Sequence, residues 1–161
     1  MWIEEPFHPN NTKDYINLKN RKKNFKVAFG ESFTSFAEFE RAIMLNMCDY
    51  VQPDVTQLGI LESIKVINLA KKYRKKVAIH VWGSPISYLT NLNFAYAFDN
   101  IVDYFEVPLV KYEILKTFYT KFTKIHDNKI TFIKEFYGHG INLNKNYLNK
   151  FKFMSNSGFK T

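Results

Sequence analysis

Cysteine occurs once in this 161-residue chain, at Cys48, so an internal disulfide is excluded, and no Cys/His cluster has the spacing of zinc ligands. Glycine and proline number only 6 and 5, and nowhere do they gather into a low-complexity linker. Long apolar runs are missing too. The longest, "VAIHVW" and "NFAYAF", fall far short of the roughly 20 residues that a membrane span needs. The acidic start "MWIEEP" lacks the basic opening of a signal peptide. These absences predict a reduced, cytoplasmic protein with no membrane partner.

What is present suits a packed core. Hydrophobic residues make up 46% of the chain and aromatics 17%, enough apolar surface for one domain over 1–161 and too much for a disordered segment. The formal charge of +8 raises nucleic acid as a partner, because clustered Lys and Arg neutralise phosphates. The two basic clusters, "KNRKKNFK" and "KKYRKK", each precede a strand-like run, however. The second also closes a helical pattern, where cations meet the negative end of the helix dipole. Nucleic-acid binding is therefore the less favoured expectation.

Periodicity predicts short strands at Trp2–Glu4, Lys26–Phe29, Tyr50–Gln52, Val77–His80 and Asp103–Glu106. Helical patterns lie between them. Ser35 with Glu38 has the form of a capping box ahead of an apolar face of Phe36, Phe39, Ala42 and Ile43. A helix over Ile60–Tyr73 places Ile60, Ile64, Ile67 and Ala70 on one side, and another over Ser84–Phe98 accepts Pro85 in its first turn. The segment after Glu4 shows no clear apolar stripe. Beyond Glu106, "LVKYEILKTFYTKF" is ambiguous, "FTKIHDNKITFI" predicts a hairpin turning at Asp127-Asn128, and "YGHGINLNKNYLNKF" a glycine-bracketed turn and a short helix.

Strands alternating with helices imply a parallel α/β sheet. Glu4, Glu31, Asp54, His80 and Glu106 fall at or just past the C-terminal end of successive strands, at intervals of 23 to 27 residues. In a (β/α)8 barrel that end carries the active site. A doubly wound sheet, the alternative, gathers its function at one switch point rather than on every strand. The expected fold is thus a portion of a barrel, with five βα units over 1–106 and a closing segment over 107–161.

The chemistry of the five residues divides in two. Glu4 and Glu31 are hard oxygen donors of the kind Mg2+ takes. Asp54 and His80 suit a pair in which the carboxylate orients a basic imidazole. Glu106, if protonated, could face a developing oxyanion. Taken singly, His80 would more often be a structural histidine, Glu5 a salt-bridge partner, Phe33, Phe36 and Phe39 core, and His8, His126 and His139 loop residues. The joint spacing on strand ends argues for a site.

The segments "WIEEP", "FGES", "QPDVTQLG", "IHVWGS" and "YFE", in this order, resemble the second half of an enolase-superfamily barrel of the mandelate racemase type, and "YGHGINLN" resembles the closing segment of that family. The resemblance implies that Glu4 and Glu31 are Mg2+ ligands, that Asp54 and His80 form the dyad removing a proton α to a carboxylate, and that Glu106 hydrogen-bonds the enediolate. The implied substrates are sugar acids or 2-hydroxy acids, and the implied outcomes are dehydration, the commoner, or racemisation. The family also carries a capping domain and three earlier strands bearing a Lys-x-Lys pair and a third metal carboxylate, with no counterpart in these 161 residues; Glu5 and Asp49 are not placed to substitute. The family's paired glycine is here Gly59-Ile60, which predicts a distorted turn. A barrel of five units leaves two parallel edges open, so the chain is expected to need a complementary N-terminal fragment or to self-associate. The alternatives are a C-terminal part of a dehydratase, active with its other half, and a non-catalytic remnant of a truncated or split reading frame.

Overall fold

The computed structural model describes residues 1–21, 24–108, 118–119, 123–132, 138–140 and 142–150. The ambiguous "LVKYEILKTFYTKF" and the end of the closing segment lie largely outside them. Five strands, β1 (Trp2–Glu4), β2 (Lys26–Phe29), β3 (Tyr50–Val51), β4 (Lys76–Ile79) and β5 (Val102–Phe105), form one sheet in the order β1-β2-β3-β4-β5, and every pairing is parallel. The helices α1 (Thr12–Asn20), α2 (Phe36–Met44), α3 (Val55–Leu58), α4 (Ile60–Lys72) and α5 (Pro85–Ala97) make the crossovers.

The caps follow the sequence. Ser35 and Glu38 form the expected capping box at α2, and Ser84 caps α5 with Pro85 at its start. On α4 the buried residues are Ser63, Val66, Ile67 and Ala70, whereas Ile60 is exposed. The predicted stripe holds at Ile67 and Ala70, which are buried, and at Ile64, which packs against the core, and fails only at Ile60, the first residue of the helix. At Gly59, φ is +85° and nothing lies within 4 Å of a would-be Cβ. Its φ is the glycine-favouring one, and Ile60 simply begins α4, so the expected distortion of that turn does not arise. α1 lacks a stripe, as the sequence suggested, and is held chiefly by Tyr15, whose hydroxyl donates to the Phe7 carbonyl (2.6 Å) and whose ring stacks on Phe29 at 4.2 Å.

Alternation along the strands divides the sheet into two faces. Val27, Phe29, Val51, Val77 and Ile79 pack under the helices with Phe39, Ile43, Val66 and Ile67. Each such fully buried side chain contributes about 1.5–3 kcal/mol. Trp2, Ala28, Tyr50, Ala78 and Tyr104 belong to the opposite face. There the Trp2 and Tyr104 rings meet edge to face at 5.3 Å, although β1 and β5 are the two outermost strands. In a flat sheet, strands four places apart would be about 19 Å apart. The sheet is therefore curled into an arc of a barrel, with the small Ala28 and Ala78 at its centre. β1 and β5 each keep one edge without a strand partner among the described residues.

After β5, β6 (Phe118–Tyr119) pairs antiparallel with β9 (Asn142–Leu143), and β7 (Thr123–His126) pairs with β8 (Lys129–Phe132). The β7–β8 turn is the expected Asp127-Asn128, both residues left-handed at φ +49° and +58°. Gly138 and Gly140 are likewise left-handed ahead of α6 (Lys145–Lys150). Among the described residues no helix is long and apolar enough to cross a membrane.

Candidate active site

Four of the five singled-out residues share a parity. Glu4 stands two residues after Trp2, Asp54 four after Tyr50, His80 two after Ala78 and Glu106 two after Tyr104, so alternation carries them to the concave face at the C-terminal rim. Glu106 reaches it through an irregularity. β4 and β5 shift register between Val77 and Ala78, so that Tyr104 rather than Asp103 opposes Ala78. Without that extra residue the concave face would receive Asp103 and Phe105. Glu31 has the wrong parity. Gly30, at φ +115°, breaks the alternation immediately before it.

His80 is the hub. Its Nδ1 lies 3.2 Å from Asp54 Oδ2, and its Nε2 lies 3.9 Å from both Glu31 Oε2 and Glu106 Oε2. Burial disfavours the imidazolium, but the bond to Asp54 and the fields of Glu106, Asp54 and Glu31 outweigh it and raise the His80 pKa. Burial works against charge on Asp54 as well. Hydrogen bonds from His80, Thr56 and Asn91 overcome it and bring that carboxyl down to about 2. Glu106 is shifted the other way, raised chiefly by burial, while the Val81 N–H (3.2 Å), His80 and Gln52 act to lower it. Glu31 is raised by burial, with His80 opposing and Glu4, Glu5 and Glu106 adding to the rise.

Sequence reasoning missed the residues that hold this group in place. Gln52 is fully buried, and its Nε2 donates to Glu4 Oε2 at 2.7 Å and Glu106 Oε1 at 3.2 Å. Thr56 and Asn91 both donate to Asp54 Oδ1. The available signal was a polar residue at even parity before Asp54, for Gln52, and an asparagine amid the apolar residues of α5, for Asn91. Glu5 is a correction. It makes no ion pair among the described residues; its carboxylate accepts from the Gly30 N–H (3.0 Å) and the Ser32 hydroxyl (3.2 Å), tethering the loop that bears Glu31.

Asp49 pairs with Lys19 and accepts from the Val27 N–H at the opposite end of the sheet, far from this group in register. Phe33 and Phe39 are core residues, as expected, and Phe36 packs beside them. His8 accepts from the Asn10 N–H and His126 pairs with Asp127, both in turns. Glu4 and Glu31 offer hard oxygen donors, and Mg2+ is commonly held by one or two carboxylates with water and substrate completing its shell. Among the described residues no group of three His, Cys, Asp or Glu is arranged to hold a metal. The pair therefore fits in kind and would supply part of a coordination sphere.

The family described as "Enolase C-terminal domain-like" matches residues 1–147. The chain is 33% identical over 107 residues, 66% of its length, to the L-talarate/galactarate dehydratase of Salmonella typhimurium. It is 33% identical over 103 residues, 63% of its length, to the D-gluconate/D-galactonate dehydratase of Picrophilus torridus. It spans 26% of the length of each. Among solved structures, an enolase-superfamily member from Salmonella Typhimurium superposes with TM-score 0.77 at 26% identity, covering 92% of this chain and 38% of that one. One from Polaromonas sp. JS666 gives TM-score 0.82 at 23% identity, covering 99% and 42%, which speaks for the fold alone. The curled parallel sheet with its rim of carboxylates and one histidine thus has a family: the chain belongs to the enolase C-terminal domain-like proteins and corresponds to the C-terminal part of their barrel.

Proposed function

We propose that this chain carries the proton-abstracting side of a Mg2+-assisted acid-sugar dehydratase. The observation that supports it most is His80, tied through Nδ1 to an ionised, buried Asp54 while its Nε2 faces Glu31 and Glu106 at 3.9 Å. Similarity to two acid-sugar dehydratases points to the same substrate class.

In this reading the neutral His80 accepts at Nε2 the proton α to the substrate carboxylate, and Nδ1–H stays on Asp54, which stabilises the imidazolium that forms. Glu106, whose carboxyl is pushed upward by burial, would in its protonated form donate a hydrogen bond to the oxygen that gains charge. The electrons of the broken C–H bond become the enolic double bond and then expel the β-hydroxyl, which leaves as water by taking the proton that His80 Nε2 had accepted. Glu4 and Glu31 would hold the metal, which supplies positive charge beside the substrate carboxylate. The edges of β1 and β5, which have no strand partner among the described residues, support assembly with a complementary fragment or self-association, and the free, buried Cys48 suits a reducing cytoplasm.

The test is exchange of the substrate α-proton with deuterated solvent, followed by turnover, on a panel of sugar acids with Mg2+. It is run with the chain alone and with a complementary fragment. Exchange that depends on His80 is expected, and activity unchanged in His80→Asn would sink the mechanism.

A further inference from the structure

Asn91 lies on α5, outside the strand ends, and is fully buried. Its amide orientation is dictated by chemistry. Oδ1 accepts from the Val55 N–H at 2.8 Å, and a backbone N–H can only donate, so Nδ2 must be the atom facing Asp54 Oδ1 at 2.9 Å. The same Nδ2 also reaches the Ser87 carbonyl at 3.1 Å. Asp54 Oδ1 receives two further bonds, from the Thr56 N–H (2.8 Å) and the Thr56 hydroxyl (2.6 Å). Three donors thus occupy one carboxylate oxygen and set the plane of the group. The other oxygen, Oδ2, is left to His80 Nδ1.

We infer that Asn91 is a positioning residue that, with Thr56, selects the tautomer of His80. An ionised carboxylate offers only acceptors, so the ring nitrogen facing Oδ2 must carry the proton and Nε2 must present its lone pair to Glu31 and Glu106. A carboxylate free to rotate would present either oxygen at varying angle and would no longer distinguish the two ring nitrogens. The clamp also spans two βα units, since Asn91 comes from the helix after β4 and Asp54 from the turn after β3. It therefore fixes the two halves of the dyad with respect to each other. This rests on the reading of His80 as the base.

The tautomer is read directly from the ring-nitrogen resonances of His80 in isotope-labelled chain, at a pH where the ring is neutral, with His80→Asn to assign the signal among the four histidines. The parent chain should show Nδ1–H with a bare Nε2. Asn91→Leu and, separately, the isosteric Thr56→Val should bring in the Nε2–H form, changing the tautomer ratio by about tenfold for the lost bond to a charged group. Thr56→Val leaves the bond between Val55 and Asn91 in place, so it reports even if Asn91→Leu does not fold. A parent chain with Nε2–H would overturn the reading of His80 as the base. A parent chain with Nδ1–H, retained unchanged in Thr56→Val and in any folded Asn91 variant, would overturn the role of the clamp alone.

Discussion

The side-chain amide of Gln52 donates to Glu4 Oε2 at 2.7 Å, and the same nitrogen donates to Glu106 Oε1 at 3.2 Å. Glu4 and Glu106 follow the two outermost strands of the sheet, and Gln52 follows the central one. One neutral side chain therefore ties two carboxyl groups to the middle of a curled sheet, and its Oε1 is buried without a partner among the described residues. The cost of that orphan acceptor is offset by two bonds to carboxylates, each worth more than a neutral hydrogen bond.

Replacing Gln52 by Glu, a change of one atom in shape, would put a third carboxylate between the two. We expect Gln52→Glu to destabilise the chain by about 2–4 kcal/mol at neutral pH. Its buried carboxyl would have a raised pKa, so the loss should deepen as pH rises above the ordinary Glu range and shrink on acidification. Urea midpoints across pH check this, and parent-like stability throughout would refute the bridging role.

Gly30 carries a burden that Gly83 does not. Both have positive φ, but a Cβ at Gly30 would lie 2.7 Å from Phe39 Cε1, while one at Gly83 would meet nothing within 4 Å. Gly30→Ala should cost about 2–4 kcal/mol and displace Glu31, against about 1–2 kcal/mol for Gly83→Ala. Equal losses for the two would show that the Phe39 contact is unimportant.

The Asp54–His80 pair makes stability depend on pH from both sides. Asp54 is held at about 2, below its ordinary 3.8, so its contribution of about 2 kcal/mol is complete above pH 3.8 and disappears as pH falls through 2. His80 is raised above its ordinary 6.5. Its contribution is complete below pH 6.5 and is lost as pH rises through the raised value. Denaturant midpoints should trace both limbs, and Asp54→Asn should flatten them; limbs unchanged in that variant would assign them to other groups.

Cys48 is fully buried in the core, and burial pushes its thiol up to about 12 despite Lys75 and Lys19 nearby. A thiol-specific reagent should therefore react only as the core opens. Labelling that outruns unfolding, followed by mass spectrometry over a urea series, would contradict this packing.

The five parallel strands and the helices between them were legible because they followed local rules: β-branched and aromatic strands, Ser35–Glu38 and Ser84-Pro85 at helix starts, Asp127-Asn128 at a tight turn; the short α3 and the β6–β9 pair were not. The strand boundaries were right to within a residue or so. The face of α4 was legible except at Ile60, which stands directly after Gly59 as the first helical residue and is exposed. Gln52 and Asn91 were not legible, since their partners lie 48 and 37 residues away along the chain.

By itself the sequence determined that one ionisable residue would stand at the C-terminal end of each of five strands, because a period of two and a regular βα spacing are local properties. Only the tertiary structure decided that they would meet. The curl that brings Trp2 against Tyr104 and the register shift that turns Glu106 inward both arise from contacts between strands distant in sequence. The polar clamps on Asp54 and Glu106 follow from the same closure: buried carboxylates must find donors, and the curled sheet determines which ones are within reach.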